Sequence, residues 1–374
     1  MHILVATNNN FHEWRVLQRL TFEPRLPLPY MLGGAFLAAG HHLSAVDSSR
    51  ATENSDINPF LAIYHWQNMA KALNSVDLAV LWGSDAVTAL VRQAIRPGGK
   101  KNILIFSYVF APCKAGCKQR LLDWSLRVLA GSARGLIFMT GEQARKAESV
   151  FQGRVPVIRL RCGIDTEFYR GEIGLSDVPE VYRRHLDALL SEPYAILAGD
   201  ELRFNDDAVR FVEESGIRLV RISQYGHKSR TDKLKRDVAE RRLGDKLMVF
   251  EKIDYKFLRF LLRHAGAYAG FVDSSWQPAG WTVACEALAS GLPIVLYGGL
   301  VSQELAEAGG PKSCVHNVRM GDVRDFIEKI GALTMRTDAR SQLSSEARDF
   351  AEQELDFGVT APAFVAQVEK LVGR

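Results

Sequence analysis

Short apolar runs rich in β-branched residues alternate with stretches of helical periodicity over most of the 374 residues. In the first half these patterns predict six strands, at 3–6, 43–46, 78–81, 102–106, 135–139 and 155–160, separated by helices at 34–39, 60–72, 86–94, 118–130 and 142–150. Strands that alternate with helices are typical of a parallel sheet covered on both faces. The first half is therefore predicted to be one doubly wound α/β domain.

A polar stretch over 170–191 lacks a strand pattern, and we interpret it as the linker between two domains. Beyond it the alternation resumes, with strands at 194–198, 218–222, 247–250, 267–271, 294–297 and 313–318, and helices at 206–214, 231–240, 256–264, 282–290 and 322–330. The pattern predicts an α/β domain over 1–172 and a second one over 173–357. A last amphipathic helix within 358–374 is expected to pack back on the first domain.

Composition excludes several classes of protein. Hydrophobic residues at 47% and charged residues at 24% are typical of a soluble globular protein. A formal net charge of +4 is too small to indicate nucleic acid as a partner. The chain has no apolar run of the roughly 18–20 residues that a membrane helix needs, and its start does not resemble a signal peptide. We expect a cytoplasmic protein whose five irregularly spaced cysteines are reduced thiols rather than metal ligands.

The segment over 271–295 predicts a strand, a loop, a helix and a second strand. Gly280 lets the backbone approach a ligand, Thr282 is a candidate helix cap, and Gly291 ends the helix. The free N–H groups at such a helix start favour an anion such as a diphosphate. Glu286 lies four residues after Thr282, on the same helix face, where a carboxylate could accept hydrogen bonds from ribose hydroxyls.

Glu286 has two interpretations from the residues alone. It is either a surface carboxylate of a routine helix or a ligand-binding group. Apolar neighbours on both sides, such as Ala284 and Leu288, indicate a largely buried helix, in which an ionised carboxylate needs a partner. This favours the functional interpretation.

Residues 286–295, Glu-Ala-Leu-Ala-Ser-Gly-Leu-Pro-Ile-Val, resemble without a gap the donor-site motif of the retaining GT-B glycosyltransferases of family 4. The resemblance implies two Rossmann-like domains that face each other across a cleft holding the nucleotide-sugar donor. It also implies sugar transfer with retained anomeric configuration. Glu286 matches the family's ribose-binding glutamate, and the preceding helix start, Gly280, Trp281, Thr282 and Val283, is expected to contact the donor.

Three further segments resemble the same family. Residues 157–169 are similar to its strand-Gly-Ile-Asp-Thr-x-Phe segment, in which Asp165 and Thr166 suit an Asx turn or cap. Residues 195–206 resemble the strand that opens the donor domain, with Gly199 at its end. The paired glycines Gly33 and Gly34 resemble the family's glycine-rich turn, which approaches the donor.

The chain also departs from the family pattern. Pro278 stands where relatives carry the glutamate that contacts the sugar, and Asp200 and Asn205 stand where they carry an arginine and a lysine for the diphosphate. Arg203, the only cation of that loop, is either the diphosphate clamp that stabilises the leaving group or a solvated loop residue. Tyr108, after the fourth strand, replaces the usual histidine beside the reacting centre.

The acceptor side is less defined. Asn9 and Asn10 follow the first strand and either bind acceptor hydroxyls or form a turn. The basic amphipathic stretch over 118–129 is either a core-facing helix with solvated arginines or a contact with an anionic membrane. The resemblance implies a saccharide or lipid-linked acceptor, a place in polysaccharide, glycolipid or glycoconjugate biosynthesis, and a cytoplasmic enzyme that would lie on the inner membrane face if this contact exists.

Transfer from a uridine or guanosine diphosphate sugar should need no cofactor and no metal ion. The chain has no Asp-x-Asp, the metal-diphosphate motif of the other large glycosyltransferase fold. Two alternatives stay open: a glycosyltransferase-like binding subunit without catalysis, and a nucleotide-sugar epimerase on the same fold.

Overall fold

Two compact units make up the chain in a computed structural model, which describes residues 1–7, 35–36, 39–47, 76–82, 103–106, 133–199, 205–223, 228–271, 278–335 and 340–373. The first unit comprises Met1–Cys162 and Phe357–Arg374, and the second comprises Gly163–Asp356. The boundary predicted from the sequence lies slightly later, at residue 172. The difference arises because the helix over Thr166–Arg170 packs on helices of the second unit.

The first unit is built on a six-stranded parallel sheet. Its strand order is β2-β1-β3-β4-β5-β6. The strands are β1 His2–Thr7, β2 His42–Asp47, β3 Leu78–Trp82, β4 Ile103–Phe106, β5 Gly135–Phe138 and β6 Val157–Arg159. All six predicted strands of this half are confirmed.

The second unit contains another six-stranded parallel sheet, with the order β12-β11-β10-β7-β8-β9. The strands are β7 Tyr194–Ala198, β8 Arg218–Ser223, β9 Leu247–Glu251, β10 Ala267–Gly270, β11 Ile294–Tyr297 and β12 Val315–Val318. Every residue of β7, β8, β10 and β11 is buried, as expected for strands covered on both faces.

Helices flank both sheets. In chain order they are α1 Gly141–Phe151, α2 Thr166–Arg170, α3 Glu180–Arg183, α4 Leu186–Leu190, α5 Asn205–Ser215, α6 Lys228–Glu240, α7 Tyr255–His264, α8 Trp281–Ala289, α9 Leu300–Glu307, α10 Val323–Met335, α11 Arg340–Phe350 and α12 Phe357–Val372. A 3-10 turn, Leu175–Asp177, precedes α3, and a π-helical turn, Ala351–Leu355, follows α11.

Both sheets reverse their strand order near the centre. In the first unit the chain places β2 on one side of β1 and β3 on the other, and in the second unit β8 and β10 flank β7 in the same way. Ligands of open α/β sheets bind at the carboxyl ends of the strands beside such a switch point. A ligand site is therefore expected beside the carboxyl ends of β7 and β10.

The linker predicted over 170–191 is wrong as a free connection, because this stretch packs inside the second unit. Leu186 and Leu189 of α4 are buried, and the Tyr182 ring of α3 stacks on Phe257 at 4.2 Å between centroids. The polar side chains that suggested a linker form the exposed faces of these short helices. Helices α9 and α11 were not predicted.

The C-terminal helix α12 groups with the first unit, to which the sequence analysis assigns it. The Phe364 ring lies 5.6 Å from that of Phe36, and Arg134 Nε donates to the carbonyl of Leu371 at 2.8 Å. The Gly135 backbone also lies against the Leu371 side chain. These contacts extend the core of the first unit over residues that are distant in sequence.

The cysteines at 162, 285 and 314 are buried free thiols. Among the described residues, no helix combines the length and the apolar character that crossing a bilayer requires.

Helix α8 ends as the sequence predicts. Gly291 has a left-handed φ of +79°, its N–H donates to Leu288 O at 2.9 Å, and the N–H of Leu292 donates to Ala287 O at 2.9 Å. This is a Schellman motif. A Cβ at Gly291 would also collide with the Ser344 hydroxyl and lie 2.7 Å from Arg348 Nε.

We therefore expect Gly291→Ala to destabilise the second unit by roughly 1–3 kcal/mol, because it adds both backbone strain and a steric clash. Urea denaturation checks this, with Gly309→Ala as a matched control, since Gly309 has a φ of +83° but no atom within 4 Å of the added Cβ. An equal loss in both variants would show that the crowding at Gly291 has no energetic weight.

Candidate functional site

The candidate site lies at the switch point of the second sheet. Gly199 follows β7 directly, with a φ of +105°, and its N–H donates to Ile222 O at 3.1 Å. On the neighbouring strand β10, the chain leads through Phe271 to Gly280, where α8 begins. The two loops that the sequence analysis assigned to the donor therefore follow adjacent strands on the same edge of one sheet.

Helix α8 begins with an N-terminus that no described side chain caps. The N-cap residue is Gly280, with a φ of +86°. The predicted cap at Thr282 is wrong, because Thr282 already lies in the first helical turn. The N–H of Trp281 donates to Pro278 O at 3.2 Å, whereas the N–H groups of Thr282 and Val283 precede the first bond of the helical ladder, from Ala284 to Gly280. Such N–H groups suit an anion.

Two helices begin beside the switch point, and their charges differ. Helix α5, which follows the loop after β7, carries Asp206 and Asp207 in its first turn. The first turn of α8 has no acidic residue. Carboxylates at a helix N-terminus satisfy its positive end and repel a further anion. The start of α8 is therefore the better place for a diphosphate.

A shallow recess of about 290 Å³, with its open mouth included, adjoins the start of α8. It is lined by Ala279 and Gly280, by Leu296 and Tyr297 at the end of β11, and by the first residues of α9. The Tyr297 hydroxyl donates to Asp207 Oδ2 at 3.3 Å, which joins this wall to the start of α5. Burial raises the pKa of Asp207. The mostly apolar wall and the free N–H groups together suit a ligand with an apolar ring and a charged group.

Glu286 is buried, with 4% of its surface exposed, and does not line this recess. Its Oε1 accepts a hydrogen bond of 2.7 Å from the Tyr169 hydroxyl of α2. The expectation of a largely buried helix is confirmed, because every residue from Ala284 to Ala289 is buried. The partner that a buried carboxylate needs is a phenol, which the sequence analysis did not foresee.

Burial controls the protonation of this pair. It raises the pKa of Glu286 from 4.5 to about 7, and the hydrogen bond from Tyr169 opposes part of that rise. Burial, together with the nearby Glu286 carboxylate, raises the pKa of Tyr169. Tyr169 therefore stays a donor, while Glu286 changes its charge near neutral pH. Titratable groups tuned in this way are concentrated at functional sites.

The position of Tyr169 depends on the turn that precedes it. Asp165 caps α2, and its Oδ1 accepts from the N–H of Phe168 at 2.9 Å, which confirms the predicted Asx cap. The Thr166 hydroxyl bonds to the carboxylate of Asp356, near the end of the unit. These contacts orient a helix of five residues that could not form alone.

Arg221 of β8 is a buried cation that the sequence analysis missed. Its Nη1 donates to Gly199 O at 2.6 Å and to Ile222 O, and its Nε lies 3.5 Å from Asn205 Oδ1. The guanidinium thereby joins Gly199, which follows β7, to Asn205, the first residue of α5. An arginine inside a predicted buried strand was the available signal, because such a charge needs partners.

The described structure brings together six of the predicted donor-site residues on one sheet edge and the helix that follows it. These are Gly199, Gly280, Trp281, Thr282, Val283 and Glu286. The remaining predicted residues lie outside the described parts of the chain: Gly33, Gly34, Asn9, Asn10, Tyr108 and Arg203. The same holds for the predicted helices over 60–72, 86–94 and 118–130. No cluster of three His, Cys, Asp or Glu side chains able to hold a metal ion occurs among the residues that the structure describes.

Several solved structures align with this chain over nearly its whole length. Anabaena HepE in complex with UDP aligns with a TM-score of 0.67 at 13% identity, covering 99% of this chain and 100% of its own. Sucrose-phosphate synthase from Thermosynechococcus elongatus aligns with a TM-score of 0.70 at 14% identity, covering 99% of each chain. A glycosyltransferase from Rickettsia africae aligns with a TM-score of 0.66 at 9% identity, covering 100% of this chain and 99% of its own.

The chain has the GT-B fold. The coverage and the TM-scores, together with the two parallel sheets, confirm the predicted α/β fold class. No protein-family model and no curated protein sequence matches the chain.

Glu286 should make the stability of the unliganded protein depend on pH. Its folded-state pKa of about 7 lies above the value of 4.5 for a free carboxyl, so the folded protein binds the extra proton between these values. Stability should therefore fall as the pH rises from about 5 to about 8, by roughly 3 kcal/mol at most. We expect Glu286→Gln to remove this fall.

Urea denaturation at about pH 5 and about pH 8 gives the change in the free energy of unfolding for the wild type and for the variant. The difference between these two changes reports on Glu286, because the other titrating groups are common to both proteins. Glu328→Gln, at an exposed pair with Arg324, is the control and should leave the fall unchanged. A Glu286→Gln variant with the full wild-type dependence would mean that Glu286 is ionised throughout this range.

Proposed function

We propose that this protein is a glycosyltransferase that takes its donor sugar from a nucleoside diphosphate. The observation that carries the proposal is the helix α8 at the switch point of a GT-B fold. It begins with an uncapped N-terminus free of acidic residues, and it carries a buried, titratable Glu286 on the same face as Thr282. These are the features that a pyrophosphate and a ribose require of a protein.

UDP is the first nucleotide to test, with GDP as the other candidate. The structural neighbour HepE has been solved with UDP, with UDP and glucose, and with UDP-glucose. We propose that the pyrophosphate rests on the N–H groups of Thr282 and Val283 and that the ribose hydroxyls donate to Glu286. We propose that the base contacts the apolar surface beside Gly280 and Tyr297.

We propose that the site promotes transfer by electrostatic stabilisation of the leaving diphosphate. As the bond from the sugar to the diphosphate breaks, negative charge grows on the leaving oxygens, and the positive end of α8 stabilises it. We propose that Arg203 assists and that Arg221 keeps the Arg203 loop in place through its contacts with Gly199 and Asn205. No step needs a metal ion or a further cofactor. We propose retention of the anomeric configuration because residues 286–295 resemble the family 4 motif.

The acceptor belongs to the proposal at a coarser level. We propose a saccharide or a lipid-linked saccharide, as in polysaccharide, glycolipid or glycoconjugate assembly, bound by the first unit beyond the carboxyl end of β1. Asn9, Asn10 and Tyr108 are its candidate contacts, and the paired glycines at 33 and 34 extend the donor site. The proposed setting is the cytoplasm, and the 118–129 stretch is either a core-facing helix or a contact with an anionic membrane.

Two other functions would use the same nucleotide site. The absence of the usual first glutamate, at Pro278, keeps a binding subunit without turnover as an alternative, and an epimerase would act on the donor alone. The products distinguish the three functions.

Binding of UDP near pH 7 should release a proton. Glu286 is partly protonated in the free protein at that pH. Hydrogen bonds from ribose hydroxyls favour its ionised form, so the complex with UDP binds fewer protons than the free protein. Calorimetric titrations in two buffers of different ionisation enthalpy measure this release. Glu286→Gln should abolish it and weaken UDP binding by roughly tenfold or more.

Tyr169→Phe is the matched variant. It removes the donor that lowers the pKa of Glu286, so proton release should persist and move to higher pH. Tight UDP binding without proton linkage, unchanged by Glu286→Gln, would place the ribose away from this carboxylate and remove the basis of the assigned role.

Turnover should require an acceptor. With a glycosyltransferase, UDP release from a UDP-sugar rises well above the slow hydrolytic background only when a suitable saccharide is added. Arg221→Leu should lower this rate at least tenfold through the loop it holds, whereas the exposed Arg324→Leu should not. An epimerised donor without acceptor would support the epimerase, and UDP binding with neither product would support the binding subunit.

A further inference from the structure

A second recess lies at the opposite edge of the same sheet, where Gly266 leads into β10 and Pro293 into β11. It encloses about 350 Å³, open mouth included. Its walls come from the end of α7, the turn after α8 and the first turns of α11, and they include Arg263, Ser290 and Arg340. Because it faces the end of α8 rather than its beginning, it is separate from the nucleotide site proposed above.

Three arginines converge on this recess. Arg263 Nη1 and Arg348 Nη2 both reach the carbonyl of Ser290, at 3.3 and 3.5 Å. Arg340 Nη2 donates to Ala265 O at 2.8 Å. The guanidinium groups therefore meet at the carboxyl ends of α7 and α8.

Among the described residues the three guanidinium groups lack direct ion-pair partners, although Glu172, Asp349 and Glu352 act on them from a greater distance. Each helix carboxyl end offers about half a negative charge, so two of them offset about one of the three guanidinium charges. In the described part of the chain, none of the three arginines forms an ion pair within 4.0 Å, and the nearby Glu352 pairs with Arg170 at 3.1 Å. Burial and then the neighbouring Arg263 lower the pKa of Arg348. Burial likewise lowers that of Arg263, against the pull of Glu172.

Two buried polar atoms at the same place lack partners. Ser290 is 3% exposed, and neither its Oγ nor Arg348 Nε has a hydrogen-bond partner among the described residues. Buried hydroxyl and guanidinium N–H groups are normally satisfied, because each one left unpaired costs about 1–3 kcal/mol. Gly291 packs closely against this arginine, because a Cβ there would lie only 2.7 Å from Arg348 Nε.

We propose that this recess binds a small, soluble phosphate-bearing anion. The planar forks of Arg263 and Arg340 supply charged donors, the Ser290 hydroxyl supplies a neutral one, and Arg348 adds positive charge behind them. Guanidinium groups suit phosphate oxygens because two N–H groups can bind two oxygens at once. The two proposed sites lie at opposite ends of the nine-residue helix α8, which is about 13 Å long at the helical rise. Binding at one site does not require binding at the other.

Calorimetric titration with inorganic phosphate, at an ionic strength held constant with chloride, tests the proposal on the full chain. The wild type should bind phosphate at a site that Arg263→Gln or Arg340→Gln weakens at least about tenfold, since each removes a charge-assisted donor. Arg319→Gln, at an exposed arginine elsewhere on the unit, should leave the affinity unchanged. Arg263→Gln and Arg340→Gln should bind UDP as the wild type does, which separates this site from the nucleotide site.

Ser290→Ala keeps the test decisive if the arginine variants do not fold. It removes a hydroxyl without a described partner, so the free protein should keep its urea midpoint while phosphate binding weakens several-fold. A purely structural role for the cluster predicts unchanged phosphate affinity in this variant. That result would overturn the proposal, as would a wild type that binds no phosphate at millimolar concentration. Binding to vesicles with anionic phospholipid, but not to free phosphate, would contradict the soluble ligand.

Discussion

The carboxylate of Glu286 is held inside the second unit by one hydrogen bond, from the Tyr169 hydroxyl at 2.7 Å. Taking a carboxylate out of water is costly, and a single neutral donor compensates only part of the cost, so the pKa rises to about 7. The neighbouring turns position the two helices that carry this hydrogen-bonded pair. Asp165 and Thr166 hold the short helix that carries Tyr169, and the Schellman motif at Gly291 fixes the end of the helix that carries Glu286.

The topology explains why this helix is suited to a ligand at one end and to arginines at the other. Helix α8 runs from the carboxyl edge of the sheet, after β10, back to the amino edge, before β11. Its positive end therefore lies at the switch point, where the strand order reverses. Its negative end lies at the opposite edge, where Arg263 and Arg348 reach its last carbonyl.

Most of the fold could be predicted from the sequence because buried parallel strands are continuous apolar runs. Tyr194–Ala198 and Ile294–Tyr297 have the predicted bounds, and both are buried at every residue. Helix α11 escaped prediction because it is mainly polar, although its buried Leu343, Ala347 and Phe350 follow helical spacing. The short helices within 170–191 are stabilised by packing, such as Tyr182 on Phe257, and local patterns cannot indicate such a contact.

Individual residues of the site could be predicted from the sequence, but the contacts between residues distant in sequence could not. Gly280 and Glu286 stand out in a local motif, whereas the hydrogen bond from Tyr169 joins residues 117 positions apart. The Thr282 cap was mistaken because side-chain type favours threonine, while Gly280, with its left-handed φ, is the N-cap two residues earlier. Arg221 was overlooked because its partners are backbone carbonyls of other segments.

A crystal structure of the protein with UDP tests the central claim most directly. The account predicts the pyrophosphate against the N–H groups of Thr282 and Val283 and the ribose hydroxyls within hydrogen-bond distance of the Glu286 carboxylate. A nucleotide bound elsewhere, or a Glu286 still engaged only with Tyr169 in the complex, would contradict it.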